Sequence, residues 1–290
     1  MSPLPENYPS PLHLPFNRQC LEGSLQMATS AEDPGGEGAW VLLRGSELLM
    51  TSVAGSPELP AGPLPAGLVD ETREPVYIGS WQGRPCRALR LSRQQELPAG
   101  LEAHNLLATQ PLLAIEQLSL GGLAGQILHW KSNSGFCSKC GAPTDPLPGE
   151  WGRKCRMCGY SHFPHIHPCV IVIVRRPGQV LLTRKAEWPE GRYSLVAGFV
   201  DFGECLEEAV AREVREETGV RVQNVRYLGS QSWPFPSQLM TGFTAEYLDG
   251  EVVVEEKELE DARWFDVDRL PTLPPKRSIA RYLIDNFCRI

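Results

Sequence analysis

Three glutamates, Glu213, Glu216 and Glu217, stand at i, i+3 and i+4 in the stretch GFVDFGECLEEAVAREVREETGV that runs from residue 198 to 220. On a helix that spacing projects their carboxylates from one face. Leu206, Val210 and Val214 recur every four residues on another face, which predicts an amphipathic helix with a buried stripe and Gly219 as its C-terminal stop. Like charges so placed repel by about 0.2–0.5 kcal/mol per pair, so a positive group is expected to compensate them. A hard divalent cation, Mg²⁺ or Mn²⁺, takes carboxylate oxygens and keeps positions for water and phosphate. A solvated acidic face is the other reading of the same three residues.

A second set of ligand-type residues precedes it. Cys137-Ser138-Lys139-Cys140 and Cys155-Arg156-Met157-Cys158 are two CxxC knuckles separated by fourteen residues, and each is followed by a glycine that lets the backbone turn under a metal. Four thiolates satisfy a tetrahedral Zn²⁺ and leave no open position for catalysis, so the expected role is structural. Redox pairs or buried thiols are alternatives, as is a nucleic-acid-binding ribbon, toward which Arg153, Lys154 and Arg156 point. His162, His165 and His167 follow closely, but with four cysteines present they are expected to be surface or packing residues. The other five of the nine cysteines, Cys20, Cys86, Cys169, Cys205 and Cys288, are scattered and expected to be buried or incidental thiols.

Period and punctuation then predict the elements that position these groups. Prolines at 3, 5, 9, 11 and 15 make residues 1–16 an extended lead to which no chemistry is assigned. Apolar runs within 40–50 flank a turn at 44–47, and runs at 76–78 and 87–91 flank a second containing Gly79 and Gly83; residues 55–67 form a loop. Residues 111–131 are helical by spacing, with Gly121-Gly122 expected to divide them into two helices. The expected division is a small β-rich N-terminal domain ending in helices over 1–130, a zinc ribbon over 131–165, and a third domain over 166–290. In that last domain residues 169–174 read as a central strand, with partners at 179–183, 222–228, 239–247 and 262–265. Ile279, Leu283 and Phe287 stripe a final helix, and the whole predicts an α/β fold, an α/β/α sandwich with a mixed sheet.

Length by itself suits two domains, and composition a soluble globular chain: 290 residues, a formal charge of −7, and no apolar run long enough to cross a bilayer. The proline-rich start does not resemble a signal peptide, so a cytoplasmic protein without membrane partners is expected. The negative charge argues against tight, phosphate-driven binding to long nucleic acid and leaves a capped RNA end open as substrate.

Gly198, Glu204, Arg212, Glu213, Val214, Glu216, Glu217, Gly219 and Val220 match every constrained position of the Nudix box, and on those residues the chain resembles the Nudix hydrolases. The resemblance implies that Glu213, Glu216 and Glu217 are metal ligands, joined by the backbone carbonyl of Ala197. Glu204 and Arg212 would hold loop and helix in register. Past the box, Ser230-Gln231-Ser232-Trp233-Pro234-Phe235-Pro236-Ser237-Gln238 is similar to SQPWPFPxS, the signature of the NudC-type NADH pyrophosphatases, whose four-cysteine ribbon also precedes the Nudix domain. Ser232 stands where that signature has proline, and Gln238 where it has serine. Composition by itself favours a proline-bordered hydrophobic plug for this segment; the resemblance makes it a substrate contact.

Residue by residue, the resemblance implies more. Phe199 would stack on a nicotinamide, and Phe163 would close the sandwich from the other subunit of a homodimer. Glu150, residues 231–238 and the backbone near Ala280 would contact substrate, and Glu258 would be a further metal ligand or catalytic carboxylate. Glu258 also reads as part of a solvated acidic run with Glu255, Glu256 and Glu260. The implied activity is metal-dependent hydrolysis of NADH or NAD⁺ to AMP and a nicotinamide mononucleotide, or of an NAD-capped RNA end. Glu216 and Glu258 are both candidates for the base. ADP-ribose or other dinucleotides remain alternative substrates, as does a non-catalytic nucleotide or nucleic-acid binder, although a pure binder has no need of every box glutamate.

Overall fold

A computed structural model of the protein describes residues 4–30, 32–65, 68, 74–255 and 257–289. Two compact units emerge. One comprises residues 18–166 with Trp233–Ser237, the other Leu4–Asn17, His167–Ser232 and Gln238–Ile290.

In the first unit the strands are β1 (Leu25–Met27), β2 (Gly38–Arg44), β3 (Glu47–Val53), β4 (Ser56–Glu58), β5 (Ala61–Gly62), β6 (Val76–Trp81), β7 (Arg84–Arg90) and β8 (Glu102–Asn105). Their order is β1-β6-β7-β2-β3-β4, with β5 also on β2 and β8 also on β3. Both expected hairpins form, β2–β3 and β6–β7. The expected loop at 55–67 instead holds the short strands β4 and β5, and its residues 66 and 67 lie outside the described residues.

Helix α1 (Ile115–Asn133) runs unbroken through Gly121-Gly122, which corrects the expected break. A Cβ on Gly121 would stand 2.9 Å from Leu106 Cδ2 and 3.3 Å from Leu48 Cδ2. Glycine there lets the helix lie close on the sheet, and burial of Leu118, Leu120 and Ala124 outweighs the roughly 1 kcal/mol helix-propensity cost of each glycine. The ribbon follows as β9 (Thr144–Pro146), β10 (Arg153–Cys155) and β11 (Ser161–His162), in the order β11-β10-β9.

The second unit contains β12 (His167–Arg176), β13 (Gln179–Arg184), β14 (Val196–Phe199), α2 (Leu206–Thr218), β15 (Arg221–Trp233), β16 (Gln238–Asp249), β17 (Asp261–Asp266) and α3 (Ile279–Phe287). The sheet order is β15-β16-β12-β13-β17, with β14 on β12. β12 is central, as its continuous apolar run predicts, and pairs in parallel with β16 and antiparallel with β13, which makes the sheet mixed. Val170, Val172 and Val174 of β12 pack with Ala209, Val210 and Val214 of α2. α3 packs on the same β12 and on β16. Alternation along β12 gives it two apolar faces, each covered by a helix, and this is the expected α/β/α sandwich.

The two units repeat one topology. β2 pairs in parallel with β7 as β12 does with β16; β3 and β8 correspond to β13 and β17, and β5 on β2 corresponds to β14 on β12. The first unit adds β1 beside β6 and β4 beside β3. Between β14 and β15 the chain forms α2; the equivalent connection of the first unit is residues 63–75, of which 66, 67 and 69–73 lie outside the described residues.

Candidate active site

Burial holds α2 in place. Val210 and Val214 are fully buried, and each such side chain is worth about 1.5–3 kcal/mol, well above the repulsion within the glutamate patch. Gly219 closes the helix in the left-handed region at φ 72, with its N–H donating to the Arg215 carbonyl at 2.9 Å. At the other end the Glu208 carboxylate accepts from the Cys205 N–H at 2.8 Å; the Cys205 thiol itself is exposed.

Arg212 organises the site. Its Nε donates to Glu204 Oε1 at 2.5 Å and Nη2 to Glu204 Oε2 at 2.9 Å and the Phe199 carbonyl at 2.8 Å; Nη1 donates to Glu213 Oε1 and Glu216 Oε2, each at 2.9 Å. All five guanidinium N–H donors are thereby used, and the loop 199–204 is tied to the helix. Glu204 also accepts from the Asp201 N–H at 3.0 Å. Arg212 first, then that backbone bond, hold the Glu204 carboxyl down to about 2. Gly198 on β14 completes the junction, because a Cβ there would lie 2.0 Å from the Glu213 carboxylate.

The carboxylates differ in environment. Glu217 is 2% exposed and Glu213 8%, whereas Glu216 and Glu258 are exposed. Burial pushes Glu217 up to about 8; Lys185 pulls it down, while Glu213 and Glu258 raise it further. Glu213 is also raised, by burial first, against the pull of Arg212, with Glu216 and Glu258 adding to the rise. Glu213 and Glu217 are therefore buried acids whose desolvation Arg212 and Lys185 do not offset, a chemistry that suits a cation site. Among the described residues, the four cysteines are the group whose ligand atoms all approach within 4.8 Å; the glutamates stand more openly, with Glu216 drawn to Arg212. Ala197 lies on β14 beside Gly198. Of the acidic run around Glu258, Glu256 lies outside the described residues.

Phe199 is half-exposed at the end of β14. Gln231 is fully buried and its amide is committed inside the protein: Nε2 donates to the Pro15 and Arg277 carbonyls at 2.8 Å each, and Oε1 accepts from the Ile279 N–H at 2.7 Å. The Ser232 N–H donates to Asn17 Oδ1 at 2.7 Å. Trp233 and Phe235 stack edge to face at 5.4 Å, and Pro234, Phe235 and Pro236 line a cavity of about 200 Å³ with Leu43, Leu106 and the glycines of α1. That environment has much of the hydrophobic plug that composition suggested. Ser237 is buried, Gln238 begins β16, and Ala280 is buried in the first turn of α3. Sequence reasoning passed over Lys185 and Asn17, whose importance comes from residues far away in the chain.

In the ribbon, Cys137 and Cys158 sulfurs lie 3.7 Å apart and those of Cys140 and Cys155 3.4 Å. A tetrahedron of Zn–S bonds near 2.3 Å requires sulfur separations of about 3.8 Å, so the four fit structural zinc. The Gly141 and Gly159 N–H groups donate to the Cys137 and Cys155 carbonyls, as zinc knuckles do. Two of the three basic residues that suggested nucleic-acid binding are engaged internally: Arg153 donates to Thr144 Oγ1 and its carbonyl at 2.7 and 2.6 Å, and Arg156 grips Asp145. His162 is buried, His165 and His167 are exposed, and none joins the sulfur cluster. Phe163 is half-exposed; Glu150 is exposed, lining a cavity of about 630 Å³ with Trp130 and Trp151.

Replacing Arg212 by lysine tests the junction. One ammonium cannot make five directed bonds, so kcat is expected to fall about 10²-fold as loop and helix shift, read by steady-state kinetics. Wild-type kcat in Arg212→Lys would mean that charge suffices.

Known families match the chain in three consecutive segments: an NADH pyrophosphatase-like rudimentary NUDIX domain at 37–130, an NADH pyrophosphatase zinc ribbon domain at 132–163 and a NUDIX domain at 165–287. The NAD-capped RNA hydrolase NudC of Pseudomonas aeruginosa is 45% identical over 214 residues, covering 72% of this chain and 74% of that one. Its namesake from Klebsiella pneumoniae is 41% identical over 234 residues, covering 79% and 88%. A NUDIX hydrolase crystal structure from Nitrosomonas europaea superposes with a TM-score of 0.39 at 30% identity, covering 45% of this chain and 77% of that one. No described helix is long and apolar enough to cross a membrane. The repeated topology is accounted for by the first match, a rudimentary NUDIX domain, and identity on this scale over most of both chains places the protein in the Nudix family, in its NudC-type, NADH pyrophosphatase-like branch.

Proposed function

We propose that the chain hydrolyses the diphosphate bond of NADH or NAD⁺ to AMP and a nicotinamide mononucleotide, and that an NAD-capped RNA end offers the same bond to the same site. The observation that carries this is the pair of buried acids Glu213 and Glu217 beside the saturated Arg212, on a helix with the full Nudix box. The names of the curated relatives favour the RNA substrate, and the matched family descriptions the small one.

Glu213, Glu216, Glu217 and Glu258, with the Ala197 carbonyl, are the groups that would hold the metal. Mg²⁺ or Mn²⁺ would supply charge neutralisation at the diphosphate and a lower pKa for the attacking water. Water's oxygen forms a new bond to one phosphorus, and the bridging oxygen leaves with the other phosphate. Glu258 is the better candidate for accepting the proton, because it is exposed and Glu216 is bonded to Arg212. The half-exposed ring of Phe199 suits stacking on nicotinamide, and Phe163 of a second copy would cover the other side in a homodimer.

The division at 1–130, 131–165 and 166–290 is proposed as three modules, of which the last carries the chemistry. A cytoplasmic location fits the five cysteines outside the ribbon, which a reducing compartment would keep as thiols.

Chromatography of products after incubation with NADH and Mn²⁺ or Mg²⁺, beside Glu217→Gln, tests the proposal. AMP and reduced nicotinamide mononucleotide from the unmodified protein alone are expected. Intact NADH under both metals would overturn it; NAD-capped RNA and ADP-ribose, run in parallel, would rank the substrates.

A further inference from the structure

The N-terminal lead, which the sequence left without chemistry, is built into the second unit. Leu14, Pro15 and Phe16 are buried. Pro11 packs on Gly229, where a Cβ would come within 2.4 Å of Pro11 Cγ. Phe16 adopts the left-handed region at φ 74, a conformation a bulky residue keeps only where its surroundings enforce it. The turn presents Asn17 to β15. Asn17 Nδ2 donates to the Ser230 carbonyl at 3.2 Å and the Pro11 carbonyl at 2.8 Å, while Oδ1 accepts from the Ser232 N–H at 2.7 Å. A side-chain amide thus pairs with β15 as a neighbouring strand would, at the residue from which the signature segment continues.

Gln231 lies between these two bonds and faces inward. Its amide joins the Pro15 carbonyl of the lead to the Arg277 carbonyl and the Ile279 N–H, at the entry to α3 and next to Ala280. Two amide side chains, one from each end of the span, therefore staple three segments that are remote in sequence: 15–17, 230–232 and 277–279.

We propose that Asn17 and Gln231 are positioning residues for the hydrolysis, and that residues 11–17 are a strap holding the start of the signature segment and the first turn of α3 in register for the dinucleotide. The proposal rests on the function set out above together with the resemblance that makes residues 231–238 and the backbone near Ala280 substrate contacts. It also reassigns Gln231, whose donors and acceptor are spent on backbone, from contact to support.

Asn17→Ala and Asn17→Asp in the full-length protein test it. The aspartate keeps the acceptor for Ser232 and loses both donors. Asn17→Ala is expected to raise KM for NADH about tenfold with kcat within about twofold, and Asn17→Asp to recover part of the loss. Hydrogen exchange read by mass spectrometry should show faster exchange across 228–232, with α2 unchanged. Wild-type KM and exchange in Asn17→Ala would overturn the strap, and so would uniform loss of protection with a fall in kcat, which marks a merely structural residue. If Asn17→Ala does not fold, Asn17→Asp carries the same two readouts. If the unmodified protein leaves NADH intact, the functional reading fails while the exchange experiment still judges the strap.

Discussion

Without a divalent cation the protein is expected to lose stability as pH rises from about 4.5 to about 8, and to regain it when Mn²⁺ or Mg²⁺ is added. Glu217 is the cause. Its carboxyl is raised from an ordinary 4.5 to about 8, chiefly by burial. Below 4.5 the group is protonated folded and unfolded, and contributes no pH dependence. Between 4.5 and 8 the folded protein keeps a proton that the unfolded chain releases, so stability falls with a slope approaching about 1.4 kcal/mol per pH unit. Above 8 both states are ionised and the slope ends. Glu213, raised in the same direction, adds to the fall.

A metal ion needs these carboxylates ionised, so its apparent affinity should rise across the same window. Thermal melts at pH 5, 7 and 9, with chelator and with Mn²⁺, measure both effects. Glu217→Gln removes the titrating group, so its metal-free melts should flatten with pH and kcat should fall about 10³-fold or more. A metal-free wild type whose melting temperature climbs steadily from pH 5 to 9 would contradict the burial argument.

The second large effect concerns the ribbon. Cys155→Ser is expected to abolish stoichiometric zinc and unfold the segment from Cys137 to Cys158, since a structural zinc site supplies about 10–16 kcal/mol of apparent binding free energy in small zinc domains. The three short strands β9, β10 and β11 have little apolar core of their own: the buried positions there are Thr144, Cys155 and His162. Zinc analysis by atomic absorption and limited proteolysis between residues 137 and 158 are the measurements. One zinc per chain and unchanged protease resistance in Cys155→Ser would show that the sulfurs are not its ligands.

The chemistry is legible in the sequence where it depends on residues close together in the chain. Period four over Leu206, Val210 and Val214 defines a helix and its buried face, and i, i+3, i+4 spacing puts three carboxylates on one side, because helix geometry alone sets both. Two CxxC knuckles specify a four-sulfur site for the same local reason. A continuous β-branched run marks β12 as the centre of its sheet, since only a strand covered on both faces can bury it. The repeat was also within reach: VLLRGSELLM at 41–50 and VIVRRPGQVLLT at 172–183 share an apolar run, a turn and a second apolar run.

Tertiary structure decided what depends on approach between distant segments. Gly121-Gly122, breakers by propensity, sit inside one helix because Leu106 and Leu48 close upon it, and packing outweighs propensity. Gln231, in a segment implied to touch substrate, turns inward to three backbone groups. Asn17 reaches a strand 213 residues away. The ionisation of Glu217 depends on burial and on Lys185, neither of which its spacing from Glu213 and Glu216 contains. Residue types and short spacings determined which groups could act on a diphosphate. How strongly each carboxylate holds its proton, and which amide supports rather than contacts, were settled by desolvation and long-range hydrogen bonding, which exist only once the chain has folded.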